Sequence, residues 1–195
     1  GNHFFKMLDF VDIMRPKVLF FENVKNLVGH DKGNTFKIIK KEILSRNYSF
    51  HSKVINTKDY GNIPHNRERI FIIGFDYDEY PDADLHFRFP SKENLNKSIQ
   101  DILEKENIDD KFYYKEDKSM YPLLEESMNN PNTVYQFRRH YVRENKSNVC
   151  PTLTANMGTG GHNVPLVTTK KGFRKLTPRE CFRFQGFPDS YRFPK

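Results

Sequence analysis

The apolar residues in the first third of the chain are spaced as in alternating helices and strands. A first helix is predicted from apolar residues at roughly helical spacing, which are Phe4, Phe5, Leu8, Val11 and Ile13. Pro16 ends this helix, because its ring is poorly tolerated inside one. The short apolar run from Lys17 to Phe21 follows, and it predicts a buried parallel strand.

The pattern continues with a second helix and two more strands. The helix is predicted from Asn34 to Arg46, with an apolar face of Phe36, Ile39, Ile43 and Leu44. Tyr48 to Asn56 alternates as in a strand, and Arg69 to Phe75 is predicted to be a further buried strand. Elements of this kind and length indicate one half of a larger open α/β sheet. Because so few strands leave edges exposed, we expect part of the sheet to lie outside this chain.

The pattern changes after residue 75. Residues 76–131 are acidic, rich in Tyr, Asn and Pro, and weakly periodic, with one short helix predicted from Ser98 to Lys105. Two predicted strands, Val149 to Thr154 and Val164 to Thr169, then flank a glycine-rich loop. This stretch is therefore predicted to form a small, irregular domain that is mostly β.

A last helix is predicted by its end signals. Thr177 is a good N-cap, Pro178 takes the first helical position, and Glu180 completes a capping box. The helix is predicted to stop near Gly186, before Phe187-Pro188.

Composition narrows the class of protein. Hydrophobic residues make up 36% and charged residues 29%, which is typical of a folded soluble domain. No stretch approaches the roughly 18 consecutive apolar residues of a membrane span. The two cysteines, Cys150 and Cys181, are too few for a disulfide framework or a complete structural zinc site. We therefore predict no metal, no membrane association and a reducing, cytoplasmic setting.

Charge is segregated along the chain. The net charge is +7, yet residues 76–131 hold 15 acidic against seven basic residues. Residues 132–175 hold eight basic residues and a single acidic one. A basic segment of this density attracts a polyanion such as nucleic acid, although a solvated lysine-rich surface has the same composition.

Glu22-Asn23-Val24 is the first candidate site. The pattern places it just past the carboxyl end of the first strand, where ligands bind in open α/β sheets. A carboxyl group beside Phe20 and Phe21 would be partly desolvated, which raises the pKa and lets it offer a proton to a ring nitrogen. A glutamate that caps a helix or bridges a cation has the same short signature.

A second candidate lies between two predicted strands, at residues 59–69. The turn contains Gly61 and Pro64, and it is followed by Arg67 and Arg69, which share one side of the strand if it begins at Arg69. Guanidinium groups suit two-point capture of a phosphate or a base carbonyl. Surface arginines that bridge nearby acids are the alternative.

The motifs of this chain, taken together, resemble those of a known protein family. In order they are Glu22-Asn23-Val24, Asp59-Tyr60-Gly61, Arg67-Glu68-Arg69-Ile70-Phe71, Pro151-Thr152-Leu153-Thr154-Ala155, Arg174-Lys175-Leu176-Thr177-Pro178-Arg179-Glu180-Cys181 and Gln185-Gly186-Phe187-Pro188-Asp189-Ser190-Tyr191. This order and spacing resemble the DNA cytosine-5 methyltransferases of bacterial restriction–modification systems, from about Phe4 to Tyr191. The last motif is highly specific.

The resemblance implies a chemistry for the first two sites. Such enzymes flip the target cytosine into a pocket, add a cysteine thiolate to C6, and methylate C5 from S-adenosylmethionine. Glu22, supported by Asn23 and Val24, would contact N3 and N4 of the base. Arg67 would help to hold the base and its developing charge, and Arg69 would support that loop.

The resemblance also implies a target recognition domain that begins near Asp76. Thr152 and Leu153 match a Thr-Leu pair that borders the recognition loops. Within the glycine-rich loop, small residues let backbone approach a groove or phosphate and longer ones then meet base edges. These are Gly158, Gly160 and Gly161, with Met157, His162 and Asn163. An ordinary flexible hairpin is the alternative.

The basic residues that precede this loop are predicted to contact DNA phosphates. Such contacts position a protein on DNA without specifying sequence. They are Arg138, Arg139, His140, Arg143 and Lys146.

The chain also departs from the family's pattern. The family's nucleophile is a cysteine after a proline, well before the Glu-Asn-Val motif, and neither Cys150 nor Cys181 corresponds, so we predict no nucleophile in this chain. The glycine-rich cofactor motif and the final Gly-Asn-Ser/Ala block are not found either. His65 stands where most members have Gln, which leaves hydrogen bonding at that turn open.

We therefore expect most of the S-adenosylmethionine site to lie outside this chain. The rest of a longer parent chain, a partner subunit of a split enzyme, and a decayed gene are the three alternatives. The start at Gly1-Asn2-His3, with no initiator Met or signal peptide, favours the first. On its own, the chain is predicted to be inactive.

The predicted fold class is α/β, a partial Rossmann-like methyltransferase sheet plus a small irregular, mostly β target recognition domain. Residues 1–75 would belong to the catalytic domain, residues 76–172 to the recognition domain, and residues 173–195 would return to the catalytic domain. The predicted function is methylation of cytosine at C5 in a specific site of double-stranded DNA. A non-catalytic DNA-binding specificity module is the alternative, and RNA is a less suitable substrate because the long recognition segment suits a duplex.

Overall fold

The computed structural model describes residues 2–138, 140–158 and 163–193. These residues form two compact units. One unit contains the residues up to Ile55 together with Glu68–Ser91, and the other contains Asn56–Arg67 and the residues from Lys92 onward. The chain therefore passes between the units more than once.

The helices and strands of the described residues differ widely in length. The α-helices are α1 (Asn2–Met14), α2 (Asn34–Leu44), α3 (Thr57–Tyr60), α4 (Ala83–His86), α5 (Ile99–Ile102), α6 (Tyr121–Ser127) and α7 (Pro178–Phe184). Turns of 3-10 helix lie at Lys25–Val28, His30–Gly33, Asp110–Phe112 and Ala155–Gly158. The strands are β1 (Val18–Val24), β2 (His51–Asn56), β3 (His65–Asn66), β4 (Glu68–Phe75), β5 (Tyr135–Arg138), β6 (Tyr141–Glu144), β7 (Cys150–Pro151), β8 (Val164–Thr169) and β9 (Gly172–Lys175).

The first unit is built on a sheet with the order β1-β4-β2. β1 runs antiparallel to β4, with Val18 opposite Phe75 and Val24 opposite Arg69. One face of the sheet packs on the two longer helices, because alternate strand residues meet the apolar stripes of α1 and α2. The buried residues of this core are Val11, Leu19, Ile39, Ile43, Tyr48, Ile70 and Ile72.

The prediction that Lys17 to Phe21 is a buried parallel strand is wrong in two respects. β1 is antiparallel to its described partner β4, and its alternate residues Val18, Phe20 and Val24 are exposed, Phe20 by 64%. An apolar run indicates that both faces of a strand are suited to burial, but it carries no information on direction or on what covers each face. Described parts of the chain cover one face of β1.

The two long helices bury fewer residues than their apolar patterns predict. In α1, Leu8 and Val11 are buried, whereas Phe5 is exposed and Ile13 is 81% exposed. Ile13 follows Val11 by two positions, which places it on the opposite side of a helix. α2 ends at Leu44 rather than Arg46, and Leu44 itself is exposed.

The strands that follow α2 match the prediction more closely. The predicted Arg69 to Phe75 strand is confirmed as β4. The predicted Tyr48 to Asn56 strand begins only at His51. Tyr48 instead forms an isolated bridge with Asp76, and its buried ring directs the hydroxyl to donate to the Pro16 carbonyl at 2.6 Å.

The second unit contains an antiparallel sheet with the order β6-β5-β8-β9 and a short parallel pair of β3 and β7. The predicted strand Val164 to Thr169 is confirmed as β8. The predicted strand Val149 to Thr154 shrinks to Cys150–Pro151, and the predicted helix Ser98 to Lys105 shrinks to Ile99–Ile102. Hydrophobic periodicity over so few residues does not define well where a helix or strand begins and ends.

The capping box predicted for the last helix is confirmed. The Thr177 hydroxyl accepts from the backbone N–H of Glu180 at 3.2 Å, and the Glu180 carboxylate accepts from the N–H of Thr177 at 2.8 Å. The helix ends just before Gly186, whose φ of +86° is a left-handed conformation that favours glycine.

Candidate functional site

The antiparallel register of the first sheet brings Glu22-Asn23-Val24 beside Arg69, Ile70 and Phe71. Glu22 lies opposite Phe71, Asn23 opposite Ile70, and Val24 opposite Arg69. Residues diagonal to each other on neighbouring strands are within reach of long side chains. Glu22 and Arg69 are such a pair, and they project from the same face of the sheet.

Glu22 and Arg69 form an ion pair across these strands. The Arg69 Nε lies 2.9 Å from Glu22 Oε1, and the Arg69 and Glu22 side chains are 15% and 41% exposed respectively. Arg69 Nη1 also donates to the carbonyl of Glu68 at 2.8 Å, which holds the guanidinium in place. The carboxylate of Glu22 is thus oriented by Arg69 and remains partly exposed to solvent.

The predicted position of Glu22 therefore needs correction. It lies inside β1 rather than just past its carboxyl end, because pairing with β4 extends the strand as far as Val24. Asn23 is exposed, and its side-chain oxygen accepts from the N–H of Val24 at 2.8 Å. The backbone around Glu22 is consequently held by both strand pairing and a local side-chain contact.

Arg67 belongs to the second unit and lies in the turn between β3 and β4. The expectation that it shares a strand face with Arg69 depends on a strand that begins at Arg69, whereas β4 begins at Glu68. Its N–H donates to the carbonyl of His65 at 3.0 Å and to Asn56 Oδ1 at 3.2 Å, and its carbonyl accepts from the N–H of Thr57 at 3.1 Å. The backbone of Arg67 is thereby fixed on both sides.

The turn that carries Arg67 is joined to the Thr152-Leu153 segment. Thr152 Oγ1 donates to the carbonyl of Asn66 at 2.7 Å, and the N–H of Leu153 donates to the ring of His65 at 3.3 Å. The Leu153 side chain is buried in a hydrophobic core rather than presented at the surface. Thr152 is half-buried.

The predicted recognition residues lie around one end of the second sheet. Arg138 ends β5 and Arg143 lies in β6, where it is exposed. The N–H of Asn163 donates to the carbonyl of Phe137 at 2.9 Å, which places the end of the glycine-rich loop beside Arg138. The Nη2 of Arg138 donates to Gln136 Oε1 at 3.4 Å.

Several predicted recognition residues lie elsewhere or outside the described residues. Gly158 ends a 3-10 turn, Met157 is half-buried, and His140 and Lys146 are exposed. The predictions for Arg139, Gly160, Gly161 and His162 fall outside the described residues.

Both cysteines are free thiols in apolar surroundings. Cys150 is fully buried, and burial, together with the neighbouring Cys181, raises the pKa of its thiol well above the usual value. Burial first and the Glu180 carboxylate second raise the pKa of Cys181 to about 12. Neither group is a thiolate near neutral pH, and a thiolate is the form that acts as a nucleophile.

One contributor to the site, Asn56, was not predicted from the sequence, and for Arg69 the contact with Glu22 was not predicted. Asn56 fixes both Arg67, through Oδ1, and Asn66, to whose Oδ1 its amide donates at 2.7 Å. Arg69 contacts Glu22 directly, whereas its motif indicates only support of the loop. Asn56 has a local role as the N-cap of α3, where its Oδ1 accepts from the N–H of Lys58 at 3.4 Å. Its contacts with Asn66 and Arg67 lie 10 and 11 residues away in sequence, so the sequence did not indicate them. The strand alternation would have indicated Arg69 if the register had been known.

Other kinds of site find little support in the described residues. No group of three or more His, Cys, Asp or Glu side chains in residues 2–138, 140–158 and 163–193 is arranged to hold a metal ion. In that part of the chain, no helix has the length and apolar character needed to cross a membrane.

Comparisons with known proteins agree on one family. A family model described as C-5 cytosine-specific DNA methylase matches residues 1–195. Type II methyltransferase M.Bsp6I of Bacillus sp. (strain RFL6) is 56% identical over 197 residues, which cover 100% of this chain and 62% of the relative. Type II methyltransferase M.HhaI of Haemophilus parahaemolyticus is 37% identical, with 98% of this chain and 59% of the relative covered.

Solved structures show the same α/β fold. The crystal structure of S. pombe Dnmt2 methyltransferase superposes with a TM-score of 0.68 at 18% identity, over 98% of this chain and 62% of that one. Entamoeba histolytica methyltransferase EhMeth gives a TM-score of 0.56 at 18% identity, over 91% and 52% of the two chains. The chain thus spans 62% of the length of M.Bsp6I and 59% of that of M.HhaI.

Proposed function

The chain belongs to the C-5 cytosine-specific DNA methylase family, and from this membership we propose that it is part of a DNA cytosine-5 methyltransferase. In this proposal the enzyme flips a cytosine out of a specific duplex site and methylates it at C5. The residues of this chain hold the flipped base and read the site. S-adenosylmethionine supplies the methyl group, and most of its binding site is proposed to lie outside residues 1–195.

The observation that carries this proposal is the Glu22–Arg69 pair on adjacent strands. Glu22 is 41% exposed, with one carboxylate oxygen 2.9 Å from Arg69 Nε. A carboxyl group oriented in this way can accept a hydrogen bond from N4 of cytosine and, when protonated, donate one to N3. A proton held at N3 draws electrons from C6 and favours addition of a nucleophile there.

Arg67 is also proposed to contact the flipped base. Its backbone is fixed by Asn56, Thr57 and His65, so the start of its side chain is well positioned. A guanidinium donates but never accepts, and its charge does not titrate near neutral pH. It therefore suits a base carbonyl that becomes more negative as the ring is attacked.

The nucleophile is proposed to come from outside these 195 residues. Burial of Cys150 and the raised pKa of Cys181 support this, because neither presents a thiolate to a base. The large apolar side chains of Val18, Phe20 and Val24 support it too, since the described residues leave them exposed and neighbouring exposed apolar side chains mark a surface that another segment covers. We expect the chain alone to transfer no methyl group, and the free thiols suit a reducing cytoplasm.

The roles proposed for the segments of the chain follow the domain boundaries predicted from the sequence. Residues 76–172 are proposed to be the target recognition domain, with residues 1–75 and 173–195 contributing to the catalytic domain. The β5–β6 hairpin and the Asn163 end of the glycine-rich loop would approach double-stranded DNA. Arg138 and Arg143 would make phosphate contacts there, and Arg139, Gly160, Gly161 and His162 remain predictions for the same surface.

The test is methyl transfer by the full-length protein that contains these residues, with labelled S-adenosylmethionine and duplex DNA of varied sequence. The wild type should label cytosine at one site. Glu22→Gln cannot protonate N3 and should lower the rate about 100-fold or more. Glu79→Gln is the matched control, because Glu79 is 47% exposed and pairs with Lys17 at 2.8 Å, and it should stay within about twofold.

The alternative, a non-catalytic specificity module, makes a different prediction. Such a module would bind duplex DNA without any methyl transfer in the full-length protein, and Glu22→Gln would leave binding unchanged. DNA binding with no transfer, or equal activity of the Glu22 and Glu79 variants, would reject the proposed function.

A further inference from the structure

His65 is completely buried and contacts two backbone groups through its ring. Its Nδ1 lies 2.8 Å from the carbonyl oxygen of Phe184, at the end of α7. Its Nε2 lies 3.3 Å from the backbone nitrogen of Leu153. The ring also meets the Phe184 ring edge-on at a centroid distance of 6.1 Å. These partners are distant in sequence, and His65 connects them.

The two partners determine the protonation state of the ring. A carbonyl oxygen can only accept, so Nδ1 must carry a hydrogen atom. A backbone N–H can only donate, so Nε2 must present its lone pair. His65 is therefore the neutral Nδ1–H tautomer. A charged ring would oppose two N–H groups at Leu153 inside the core, and the other neutral tautomer would lose both contacts.

The same residue sets the turn that carries Arg67. The carbonyl of His65 accepts from the N–H of Arg67 at 3.0 Å. On the other side, His65 is the parallel partner of Cys150 in the β3–β7 pair, and the N–H of Cys150 donates to the carbonyl of Pro64 at 2.7 Å. Backbone contacts thus tie the turn to β7, while the ring ties it to Leu153 and Phe184.

We propose that His65, as a neutral Nδ1–H imidazole, is a positioning residue that couples the Arg67 turn to the Thr152-Leu153 segment and to α7. It touches neither base nor cofactor and acts through Arg67. For this positioning, the presence of one hydrogen-bond donor and one acceptor on the side chain matters more than the imidazole ring itself. A glutamine amide offers the same pattern of one donor and one acceptor. This inference rests on the proposed function for its effect on activity.

Two substitutions in the full-length protein distinguish the effect of the hydrogen-bonding pattern of residue 65 from the effect of its shape. His65→Gln keeps one donor and one acceptor and should hold kcat/KM for methyl transfer within about threefold. His65→Leu fills the site but leaves the Phe184 carbonyl and the Leu153 N–H without a partner, and should lower kcat by about tenfold or more. Ile99→Ala is the stability control, because Ile99 is fully buried in the core cluster that contains Leu153 and Phe184. It should lower Tm while leaving kcat within about twofold below its Tm.

The tautomer is tested independently of activity. NMR of the protein with 15N-labelled histidine should show one neutral Nδ1–H ring at pH 7, and its signals should vanish in both His65 variants. A charged ring or an Nε2–H ring at His65 would overturn the inference. Full activity of His65→Leu, or loss of activity in His65→Gln equal to that in His65→Leu, would also overturn it. A wild type that shows the expected tautomer but methylates nothing would reject the proposed function and leave the assignment of the ring standing.

Discussion

At the scale of residues, the ion pair of Glu22 is compatible with the chemistry proposed for this side chain. The three-residue motif left open whether its carboxylate bridges a cation, and it does bridge Arg69. An ion pair this exposed contributes less than about 1 kcal/mol to stability. Its main consequence is orientation, since the guanidinium fixes one carboxylate oxygen and the group remains 41% exposed. A preset direction is what a proton donor to a base requires.

The cysteines give a prediction at the same scale. Burial raises the pKa of Cys181 from 9.0 to about 12, so at a given pH below 9 its thiolate fraction is about 1,000-fold smaller than that of an unshifted thiol. We expect native Cys181 to react with iodoacetamide at pH 8 slower than free cysteine by roughly that factor, and the rate to rise as pH increases. Cys150 should be slower still.

Intact mass against time measures this reaction directly. Protein unfolded in urea is the control, and both thiols should then react as free cysteine does. Rapid labelling of either thiol in the folded chain would contradict the burial of these side chains. It would also reopen the question of whether one of them acts as the nucleophile.

At the scale of elements, the packing of β4 against the segment that precedes β2 depends on a close approach at Gly74. Gly74 lies opposite Leu19, and a Cβ at this position would meet the carbonyl oxygen of Ser49 at 2.9 Å. That oxygen belongs to backbone, so it cannot move as a flexible side chain would. Gly74→Ala should therefore destabilise the first unit by about 1–3 kcal/mol, as overpacking does elsewhere.

Gly29→Ala is the matched control for this change. Among the described atoms, none lies within 4 Å of a Cβ built on Gly29, and its φ is −96°, which any residue adopts. Urea unfolding should show a shifted midpoint for Gly74→Ala and almost none for Gly29→Ala. Equal midpoints would mean that β4 can move away from Ser49 at little cost.

A buried ion pair anchors the short helix α7. Arg174 and Glu180 are both fully buried, with Arg174 Nη2 2.6 Å from Glu180 Oε1. The Glu180 carboxylate also accepts from the N–H groups of Glu104 and Thr177, both at 2.8 Å. One side chain thus caps its helix, pairs with an arginine and binds a distant segment. This explains physically why these residues occur together in the motif.

At the scale of the whole molecule, charge segregation predicts how DNA binding depends on salt. Residues 132–175 are basic, and Arg143 and Lys146 are exposed there. Each phosphate contact contributes about 0.9 to the slope of log K against log salt. The double change Arg143→Ala and Lys146→Ala should therefore lower the slope for the full-length protein by about 1–2, measured by fluorescence anisotropy with duplex DNA.

The double change Lys37→Ala and Lys41→Ala removes the same charge from α2 and is the control. Both lysines are exposed in the first unit, outside the proposed recognition surface. Their removal should leave the slope within about 0.5 of the wild type, since the long-range field is screened over roughly 10 Å at 0.1 M salt. Equal slopes for the two double variants would argue against the β5–β6 hairpin as the phosphate-binding surface.

The sequence by itself determined the features that depend on near neighbours. The capping box of α7 joins residues three apart, and β4 and β8 follow from runs of apolar residues bounded by turns. The motifs and the segregation of charge are also properties of order along the chain. Predictions of this kind succeeded because one helical turn or one strand contains all the information they need.

Only the tertiary structure decided the contacts between distant segments. The direction of β1, the pairing of Glu22 with Arg69, and the exposure of Phe20 depend on which strand lies alongside and on what covers each face. His65 reaches Phe184 and Leu153 across 119 and 88 positions. Hydrophobic periodicity does not specify such pairs, because it indicates which side of an element is buried but not which residue meets it there.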